Sequence, residues 1–506
     1  MKKLIGLMLC LLTIIGLTWA AAEAAPTECT CGDFEYILKE DGTAEITDCT
    51  SSANELIIPP ELDGHPVTSL GRRSLNWLSC TSVTLPEGLL YISDEAFYSC
   101  LSLTTLNIPN SLATLSPTAF SFCPAPAEFN LSPSHPTLAV IDSVLFDKVE
   151  RTLLFYPSSL QAETYAVPNG IRAIGDRAFC SCVLLTSITL PDSVTSIGNA
   201  AFSGCWAMTD IHFSDSVTVI GDSAFSYCRS LTAIDLPDGV TVVGASAFSD
   251  CSSLTAIDLP DSVTEIGNNA FQNCTALITI NLPAGLTAIA SSTFKGCTAL
   301  TTISLSYGVT SINPAAFSDC SSLTAIDLPD SVTAIGNGAF YRCRSLTAID
   351  LPNGVTKISD TAFLNCTALT TIAVVRGSYA EEWAISKGYE VTYVRPAGLP
   401  FGDLTYRVQA DGTAIIVACE TRASRVDVPA DIDGAPVTTI GRGAFADCVT
   451  LAGVTLPASV TDIADNAFIG CGRITFTVES GSYAEAWCQS HGLRTENPVA
   501  YSWLFD

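Results

Sequence analysis

The stretch AFSDCSSLTAIDLPDSVT occurs twice without change, at Ala247–Thr264 and at Ala316–Thr333. The two copies begin 69 residues apart, which is three times 23. Cysteines recur at the same 23-residue interval at Cys182, Cys205, Cys228, Cys251, Cys274, Cys297, Cys320, Cys343 and Cys366. A fixed period of this length is typical of a solenoid, in which every repeat forms one coil.

Each 23-residue unit carries an alternating apolar pattern that predicts a short strand. Ile257 and Leu259 are two residues apart and therefore share one face of the strand, whereas Asp258 points to the other face. Pro260 ends the strand because it cannot donate a ladder hydrogen bond. Gly267 is expected to permit a further bend, and Ala270-Phe271 to begin a short helical or irregular return. Since one coil cannot bury enough apolar surface by itself, neighbouring coils must supply the rest of the core.

Two other recurring segments predict caps at the ends of the stack. The segment GDFEYILKEDGTAEITDC, residues 32–49, contains two alternating strands around Asp41-Gly42, which predicts a β-hairpin. The segment GSYAEEWAISKG, residues 377–388, reads as a helix that begins with a capping box of Ser378 and Glu381. Similar segments follow later in the chain, GDLTYRVQADGTAIIVAC at residues 402–419 and GSYAEAWCQSHG at residues 481–492.

This duplication predicts two capped solenoids in one chain. We expect a signal peptide at 1–24, a long capped solenoid at 29–394, a linker at 395–401 and a short second capped unit at 402–497. The coil at about 123–158 carries residues beyond the period and is expected to hold a hairpin insertion. The predicted fold is thus a β-rich leucine-rich repeat solenoid with short helical returns, N-terminal β-hairpin caps and C-terminal helical caps.

The repeat L-T-x-I-x-L-P-x-x-V-T-x-I-G-x-x-A-F-x-x-C resembles the BspA-like class of leucine-rich repeats, and so do the hairpin and helix caps. The resemblance covers nearly all of the chain after the predicted signal peptide. It implies a secreted or cell-surface protein of the kind found in bacteria and some protists, where some members bind extracellular-matrix or plasma proteins. The repeat motif is scaffold, and the resemblance transfers no binding residue.

Composition and charge narrow the possible partners. The 506 residues carry a formal net charge of −28, which argues against nucleic acid and anionic membranes. Lys2 and Lys3, the apolar run that follows, and Ala22-Glu23-Ala24 have the order of a secretory signal. No later segment is long enough to span a membrane, and the C-terminal residues show neither an apolar tail nor a cationic stop. We therefore expect an exported, soluble and monomeric protein without a recognisable C-terminal anchor.

The cysteine period leaves three alternatives for the thiols: buried and reduced, disulfide-bonded in a few places, or metal-bound. In an early coil Leu78 falls near the cysteine position and Cys80 at a leucine position, which indicates that cysteine serves as a small buried hydrophobe. The region of Cys29, Cys31 and Cys49 is where a disulfide would be expected first. Cys180 and Cys182 form a C-x-C pair without a second motif, so metal is disfavoured.

The outward strand positions give the first set of candidate partner-binding residues. These positions are mostly polar or acidic and include His212, Asp235, Asp258, Asn281, Asp327 and Asp350. Such a row could be a solvated face, a protein- or glycan-binding face, or a row bridged by calcium. The insertion gives the second set, a mixed aromatic and basic cluster, although a neutral loop is the alternative there: Phe146, Lys148, Arg151, Phe155 and Tyr156.

Nothing in the sequence predicts catalysis or a cofactor. The four histidines, at positions 65, 135, 212 and 491, lie in different elements, and no phosphate-binding loop, zinc-protease helix or nucleophile elbow is present. The one acid–base combination on the strand face is His212 with Asp210 and Asp235, and a hydrolase would need a deep polar pocket around it. We therefore predict a non-catalytic, adhesin-like protein that presents a rigid surface to an extracellular protein or glycan. The alternative is a structural spacer of the cell envelope without a specific ligand.

Overall fold

A computed structural model describes residues 28–123, 126–394, 398–409, 411–420 and 422–496. The predicted signal peptide and part of the predicted linker lie outside these ranges. The chain divides into two compact units. The first comprises the described residues up to Val149 together with Leu154–Leu160, and the second comprises Glu150–Leu153 and the described residues from Gln161 onward.

Both units are built from coils that pair with the next coil at two short strands. At the first of these places one coil has only an isolated bridge, from Asp258 to Asp235, and Ile257 is buried between the exposed Ala256 and Asp258, as the alternation predicts. The second strand is two residues long, and Val243 pairs in parallel with Ile266 of the following coil. The β-rich solenoid predicted from the 23-residue period is therefore confirmed.

The strands of the coils fall into two columns in each unit. In the first unit the first column comprises Glu55–Ile57, Ser82–Thr84, Thr105–Asn107 and Glu128–Asn130, and the second comprises Ala44–Cys49, His65–Leu70, Tyr91–Ile92 and Thr114–Leu115. In the second unit the first column comprises Thr164–Ala166, Ser187–Thr189, Asp210–His212, Thr302–Ser304, Ala325–Asp327, Ala348–Leu351, Thr371–Val374 and Glu390–Tyr393. Its second column comprises Ala173–Ile174, Ser196–Ile197, Val219–Ile220, Val242–Val243, Glu265–Ile266, Ala288–Ile289, Ser311–Ile312, Ala334–Ile335 and Lys357–Ile358.

The returns between coils are successive turns and not the short helices of the predicted fold. Ala270 N–H bonds to Gly267 O within its coil, whereas Phe271 N–H and Asn273 N–H bond to carbonyls of the next coil. Asn269 and Asn273 have φ of 59° and 58°, in the left-handed region. Because every second N–H donates to a neighbour, the i to i−4 bonds of a helix cannot form.

Gly267 is needed for close approach and not for a special bend. Its φ is not in the left-handed region, and a Cβ at this position would lie 2.5 Å from Ala245 N of the preceding coil. The glycine therefore lets two backbones meet, which corrects the sequence-based interpretation.

The core of the second unit contains a column of stacked phenylalanine rings. Their centroids are 5.0 to 5.6 Å apart and neighbouring ring planes differ by 18° or less. The column consists of Phe179, Phe202, Phe225, Phe248, Phe271, Phe294, Phe317, Phe340 and Phe363. Trp383 packs on the last ring at 5.7 Å and covers the end of the column.

The predicted N-terminal hairpin is present in the first unit. Phe34–Leu38 pairs antiparallel with Ala44–Cys49, and Glu28–Cys31 adds a third antiparallel strand. The turn contains Gly42 with φ 80°, and Asp41 accepts the Thr43 N–H at 3.0 Å. A short strand at Glu61–Leu62 pairs antiparallel with His65–Leu70.

The insertion contains an antiparallel hairpin of Leu138–Ile141 and Val144–Asp147. The strand Thr152–Phe155 follows, and its Leu153 pairs in parallel with Ile174. His135, at the start of the insertion, is fully buried, and its Nε2 lies 3.1 Å from Pro109 O.

Two capping helices occur where the sequence predicts them, α1 at Tyr379–Ser386 and α2 at Tyr483–Ser490. Ser378 Oγ accepts Glu381 N–H at 3.1 Å, as in a capping box. The Glu381 carboxylate accepts in return from Gly377 N–H, one residue before the N-cap. Gly388 follows α1 with φ 82°, which ends the helix.

The repeated caps and coils after residue 398 also belong to the second compact unit. Leu399–Phe401, which the sequence assigns to the linker, pairs antiparallel with Leu404–Val408. The other strands of this part are Ala414–Cys419, Arg425–Asp427, Asp431–Ile432, Ala435–Ile440, Gly453–Thr455, Asp462–Ile463, Thr475–Thr477 and Arg494–Glu496. An ion pair of Arg376 and Asp447 at 2.7 Å joins these coils to the preceding ones.

Candidate functional site

The candidate residues on the strand face form a row of exposed side chains in the second unit, here called the polar strip. It consists of the residues that flank the buried isoleucine of each first-column strand, from Ser187 and Thr189 to Ala348 and Asp350. His212, Asp235, Asp258, Asn281, Asp327 and Asp350 are all exposed, as expected from their outward positions.

Parallel pairing brings successive members of the polar strip side by side. Thr189 pairs with His212, Asp235 bridges to Asp258, and Ser304 pairs with Asp327. Asn281 bridges to Ser304 from the other side. Within each of these pairs the hydrogen-bonded backbone holds the two side chains in register.

The strip opens between His212 and Asp235. The sheet of Thr164–Ala166, Ser187–Thr189 and Asp210–His212 ends at its third strand, and the next pairing described on this face is the bridge from Asp235 to Asp258. A cleft of about 840 Å³ lies between the two coils. Four carboxylates, an imidazole and an aromatic ring are among the lining groups, from Asp210, His212, Phe213, Asp215, Asp235 and Asp238.

A departure from the repeat accompanies this opening. Where neighbouring coils have Leu190-Pro191 and Leu236-Pro237, this coil has Phe213-Ser214. Leu190 and Leu236 are buried, whereas Phe213 is only half-buried and meets the Phe225 ring edge-on at 6.0 Å. We attribute the opening to the larger ring, which does not fit fully into a position shaped for leucine.

The polar groups of the cleft are solvated. His212 Nε2 lies 3.2 Å from Asp210 Oδ2, and these side chains are 62% and 55% exposed. The cleft is therefore open and differs from the deep pocket that a hydrolase would need. In the ranges that the structure describes, no three His, Cys, Asp or Glu side chains converge as a metal-binding group. What the arrangement can offer is hydrogen-bond acceptors and negative charge to a cationic or hydroxyl-bearing ligand.

Of the five candidate residues of the insertion, three are buried in the structure and two are exposed. Phe146, Phe155 and Tyr156 are buried, with 2%, 9% and 3% of their surface exposed, so they present no surface to a partner. Phe155 packs on Phe120 at 5.1 Å and belongs to the core of the first unit. Lys148 and Arg151 are exposed, and the Lys148 ammonium donates to His135 O.

Sequence reasoning missed Phe213, Asp215 and Asp238 as lining residues. The available signal was the Phe213-Ser214 departure from Leu-Pro, which indicates an altered coil. The hydrogen bonding of the cysteine column was also missed. Each thiol from Cys205 to Cys366 donates to a phenylalanine carbonyl of an earlier coil at 2.9 to 3.2 Å.

Comparison with known proteins places the chain in a family. The model described as "BspA type Leucine rich repeat region (6 copies)" matches residues 49–162, 151–278, 265–379 and 430–485. The chain therefore belongs to the BspA-type leucine-rich repeat family, and the resemblance seen in its sequence is confirmed. No curated protein matches the chain.

Solved structures of several bacterial leucine-rich proteins are similar to this chain. A leucine-rich cell surface protein of Faecalibacterium prausnitzii is 29% identical, with a TM-score of 0.41, and the match covers 72% of this chain and 99% of that one. A leucine-rich repeat protein of Bacteroides ovatus is 22% identical over 93% of this chain and 99% of its own, with a TM-score of 0.34. One from Eubacterium ventriosum is 20% identical over 67% and 95%, with a TM-score of 0.40.

The described part of the chain contains no helix with the length and apolarity needed to cross a membrane.

Proposed function

We propose that this protein is exported to the cell surface and binds an extracellular protein or glycan through the polar strip, without catalysis of its own. The observation that supports this most is the cleft between His212 and Asp235, which is lined by four carboxylates from two coils: Asp210 and Asp235 of the strip, and Asp215 and Asp238 of the turns that follow. Membership in the BspA-type family is consistent with a surface role for the chain.

Charge and rigidity support a binding role for the cleft. Its aspartates and the net charge of −28 favour a ligand with positive charge or many hydroxyl groups, and a basic protein segment satisfies the first requirement. Side chains on a hydrogen-bonded ladder lose little conformational entropy when a partner docks, which lowers the cost of association. A cleft of about 840 Å³ lies within the size range of ligand sites.

The test compares the chain without residues 1–24 with its Asp210→Asn/Asp235→Asn variant on arrays of extracellular-matrix proteins and glycans. The proposal expects saturable binding that weakens at high salt and falls about tenfold in the variant. Asp261→Asn is a control, because Asp261 is an exposed turn residue of another coil and does not line the cleft. Absence of any saturable partner would favour the alternative, a spacer of the cell envelope.

A further inference from the structure

Three aromatic side chains from successive coils form an exposed row in the first unit, here called the aromatic ridge: Trp77, Tyr98 and Phe122. The Trp77 and Tyr98 ring centroids are 5.9 Å apart, and those of Tyr98 and Phe122 are 5.3 Å apart. Trp77 is 68% exposed and Phe122 63%. The ridge is one ring wide, and its outer rings are largely open to solvent.

Two of these aromatic residues occupy strained backbone positions. Trp77 and Phe122 have φ of 59° and 57°. The same position of the return has a positive φ in other coils as well, where it is held by Gly204, Asn273, Ser99, Tyr227 and Arg342, although glycine and asparagine tolerate it best. A bulky aromatic residue there is a true outlier. The left-handed backbone therefore follows from the fold of the coil, and what the fold does not explain is the exposed apolar surface of Trp77 and Phe122.

Polar groups flank the ridge on one side. The Arg73 guanidinium carbon lies 4.6 Å from the centre of the Tyr98 ring. Arg72 and Arg73 both donate to the same Glu95 carboxylate oxygen, at 2.9 and 2.8 Å. The two arginines are 65% and 49% exposed, so their remaining N–H groups are available to a ligand.

The second unit contains a similar combination at the same part of the repeat. The Arg229 guanidinium carbon lies 5.4 Å from the Trp206 ring centre and 5.9 Å from that of Tyr227. Trp206 is 51% exposed and Tyr227 44%, and Tyr227 is again in the left-handed region, with φ 61°. Exposed aromatic residues beside an arginine therefore occur in each of the two units.

We infer that the aromatic ridge binds a glycan chain, whose pyranose rings stack on the exposed Trp77 and Phe122, while the half-buried Tyr98 packs between them beneath Arg73. The axial C–H groups of a pyranose form an apolar face with slight positive charge, which complements the negative face of an aromatic ring. Arg72, Arg73 and Glu95 supply donors and an acceptor for the hydroxyl groups at the edge of the sugar. A single row of rings without an apolar pocket suits a linear polymer better than a folded protein partner, which normally anchors in a pocket.

The test uses the chain without residues 1–24 and its Trp77→Asn/Phe122→Asn variant. Retention is measured on insoluble chitin, cellulose, xylan and peptidoglycan. We expect retention of the parent on at least one of them, and affinity about tenfold or more lower in the variant. Asparagine suits the left-handed backbone, so the variant should keep or raise its melting temperature, which separates lost binding from lost folding. Tyr307→Asn, which removes a 72% exposed aromatic residue in the second unit, is the matched control and should bind normally.

Three results would overturn the inference. The first is that the parent is retained on none of the four polymers, and the second is that parent and variant are retained equally. The third is a variant whose only loss is its binding to a protein from which the glycans have been removed. The site is separate from the cleft of the polar strip. The Asp210→Asn/Asp235→Asn variant should therefore keep its retention on the polymer, so failure of one proposal leaves the other standing.

Discussion

The Cys274 thiol donates a hydrogen bond to the carbonyl oxygen of Phe248, 26 residues earlier, with 3.1 Å between Sγ and O. The same oxygen accepts the Cys251 N–H of its own coil at 3.3 Å. Both lone pairs of a buried carbonyl are thereby satisfied, one by each of two coils. Cysteine at this position therefore does more than fill space, since a leucine would fill the core but leave one lone pair without a donor.

Replacement of Cys274 separates packing from hydrogen bonding. Cys274→Val keeps most of the volume and removes the donor, so it should lower the free energy of unfolding by about 1 kcal/mol. Cys274→Ala also leaves a cavity and should cost about 2 kcal/mol. Guanidinium unfolding measures both, and Cys180→Ala at a half-exposed position should change little. Equal stability of Cys274→Val and the parent would show that the thiol contributes only volume.

The buried thiols should resist alkylation in the folded protein. Burial raises the pKa of the Cys251 thiol to about 12, so the thiolate is scarce at pH 8 as well as inaccessible. We expect Cys251 to be modified by iodoacetamide far more slowly than Cys180, and at a similar rate once the protein is unfolded. Site-resolved mass spectrometry without prior reduction measures both rates. Few reactive thiols after unfolding would instead indicate disulfides.

The stability of the first unit should fall at mildly acidic pH because of His135. Burial lowers the pKa of this imidazole from its usual 6.5, and its Nδ1 accepts the N–H groups of Thr137 and Leu138. Lys148 and Glu87 are the charged groups that act on it, and the lysine opposes protonation. The unfolded state binds the proton more readily, so stability is complete above about pH 6.5 and declines as the pH falls from there toward the folded pKa.

The measurement is the melting temperature of the first unit at pH 7.5 and pH 5, in the parent and in His135→Gln. Glutamine cannot titrate, so the melting temperature of the variant should fall less between the two pH values than that of the parent, whatever its value at pH 7.5. An identical pH dependence in both proteins would assign the decline to carboxyl groups elsewhere.

Gly443 should be essential for the contact between the last long-solenoid coils and the second set of coils. A Cβ at Gly443 would clash with Arg376 O, and the φ of 62° disfavours other residues as well. Gly443→Ala should therefore break the adjacent Arg376–Asp447 ion pair and speed proteolysis near residues 394–401. Gly472→Ala is the control, since its nearest neighbour would be 3.8 Å away and its φ is ordinary. Equal proteolysis rates in both variants would contradict the role given to Gly443.

Restoring the repeat at the cleft should close it. Phe213→Leu with Ser214→Pro recreates the Leu-Pro of the neighbouring coils, so residues 209–213 and 232–236 should exchange amide hydrogens more slowly. Binding to the polar strip should weaken, because the carboxylates lose their access. The reverse change in an intact coil, Leu190→Phe with Pro191→Ser, should raise exchange there. Unchanged exchange in the restored coil would show that Phe213 does not cause the opening.

The sequence predicts the coil well and the departures from it poorly. The 23-residue period predicts which residues face inward, because the isoleucine at the position of Ile257 is buried in coil after coil, and the caps follow from their capping box and hairpin turn. The conformation of the return is harder to predict from the sequence. Asn269 and Asn273 are left-handed because their N–H groups donate to carbonyls of the next coil, and this bonding is visible only in the structure. Phe146 and Phe155 look like surface aromatics in an insertion, yet both are buried, because the strands Val144–Asp147 and Thr152–Phe155 each bury three consecutive residues and so are covered on both faces. The cleft depends on one substituted pair, Phe213-Ser214, whose effect is decided by packing.

The eighteen identical residues at Ala247–Thr264 and Ala316–Thr333 have a consequence for how such a chain can change in length. Excision of residues 247–315 would join Ser246 directly to Ala316, and the new seam would read the same as the old one. Every donor at the seam would meet an acceptor of the same kind, and the aromatic column would simply be three rings shorter. Recombination between the two identical stretches would thus change the number of coils between the caps and leave the pattern of hydrogen bonds between coils complete.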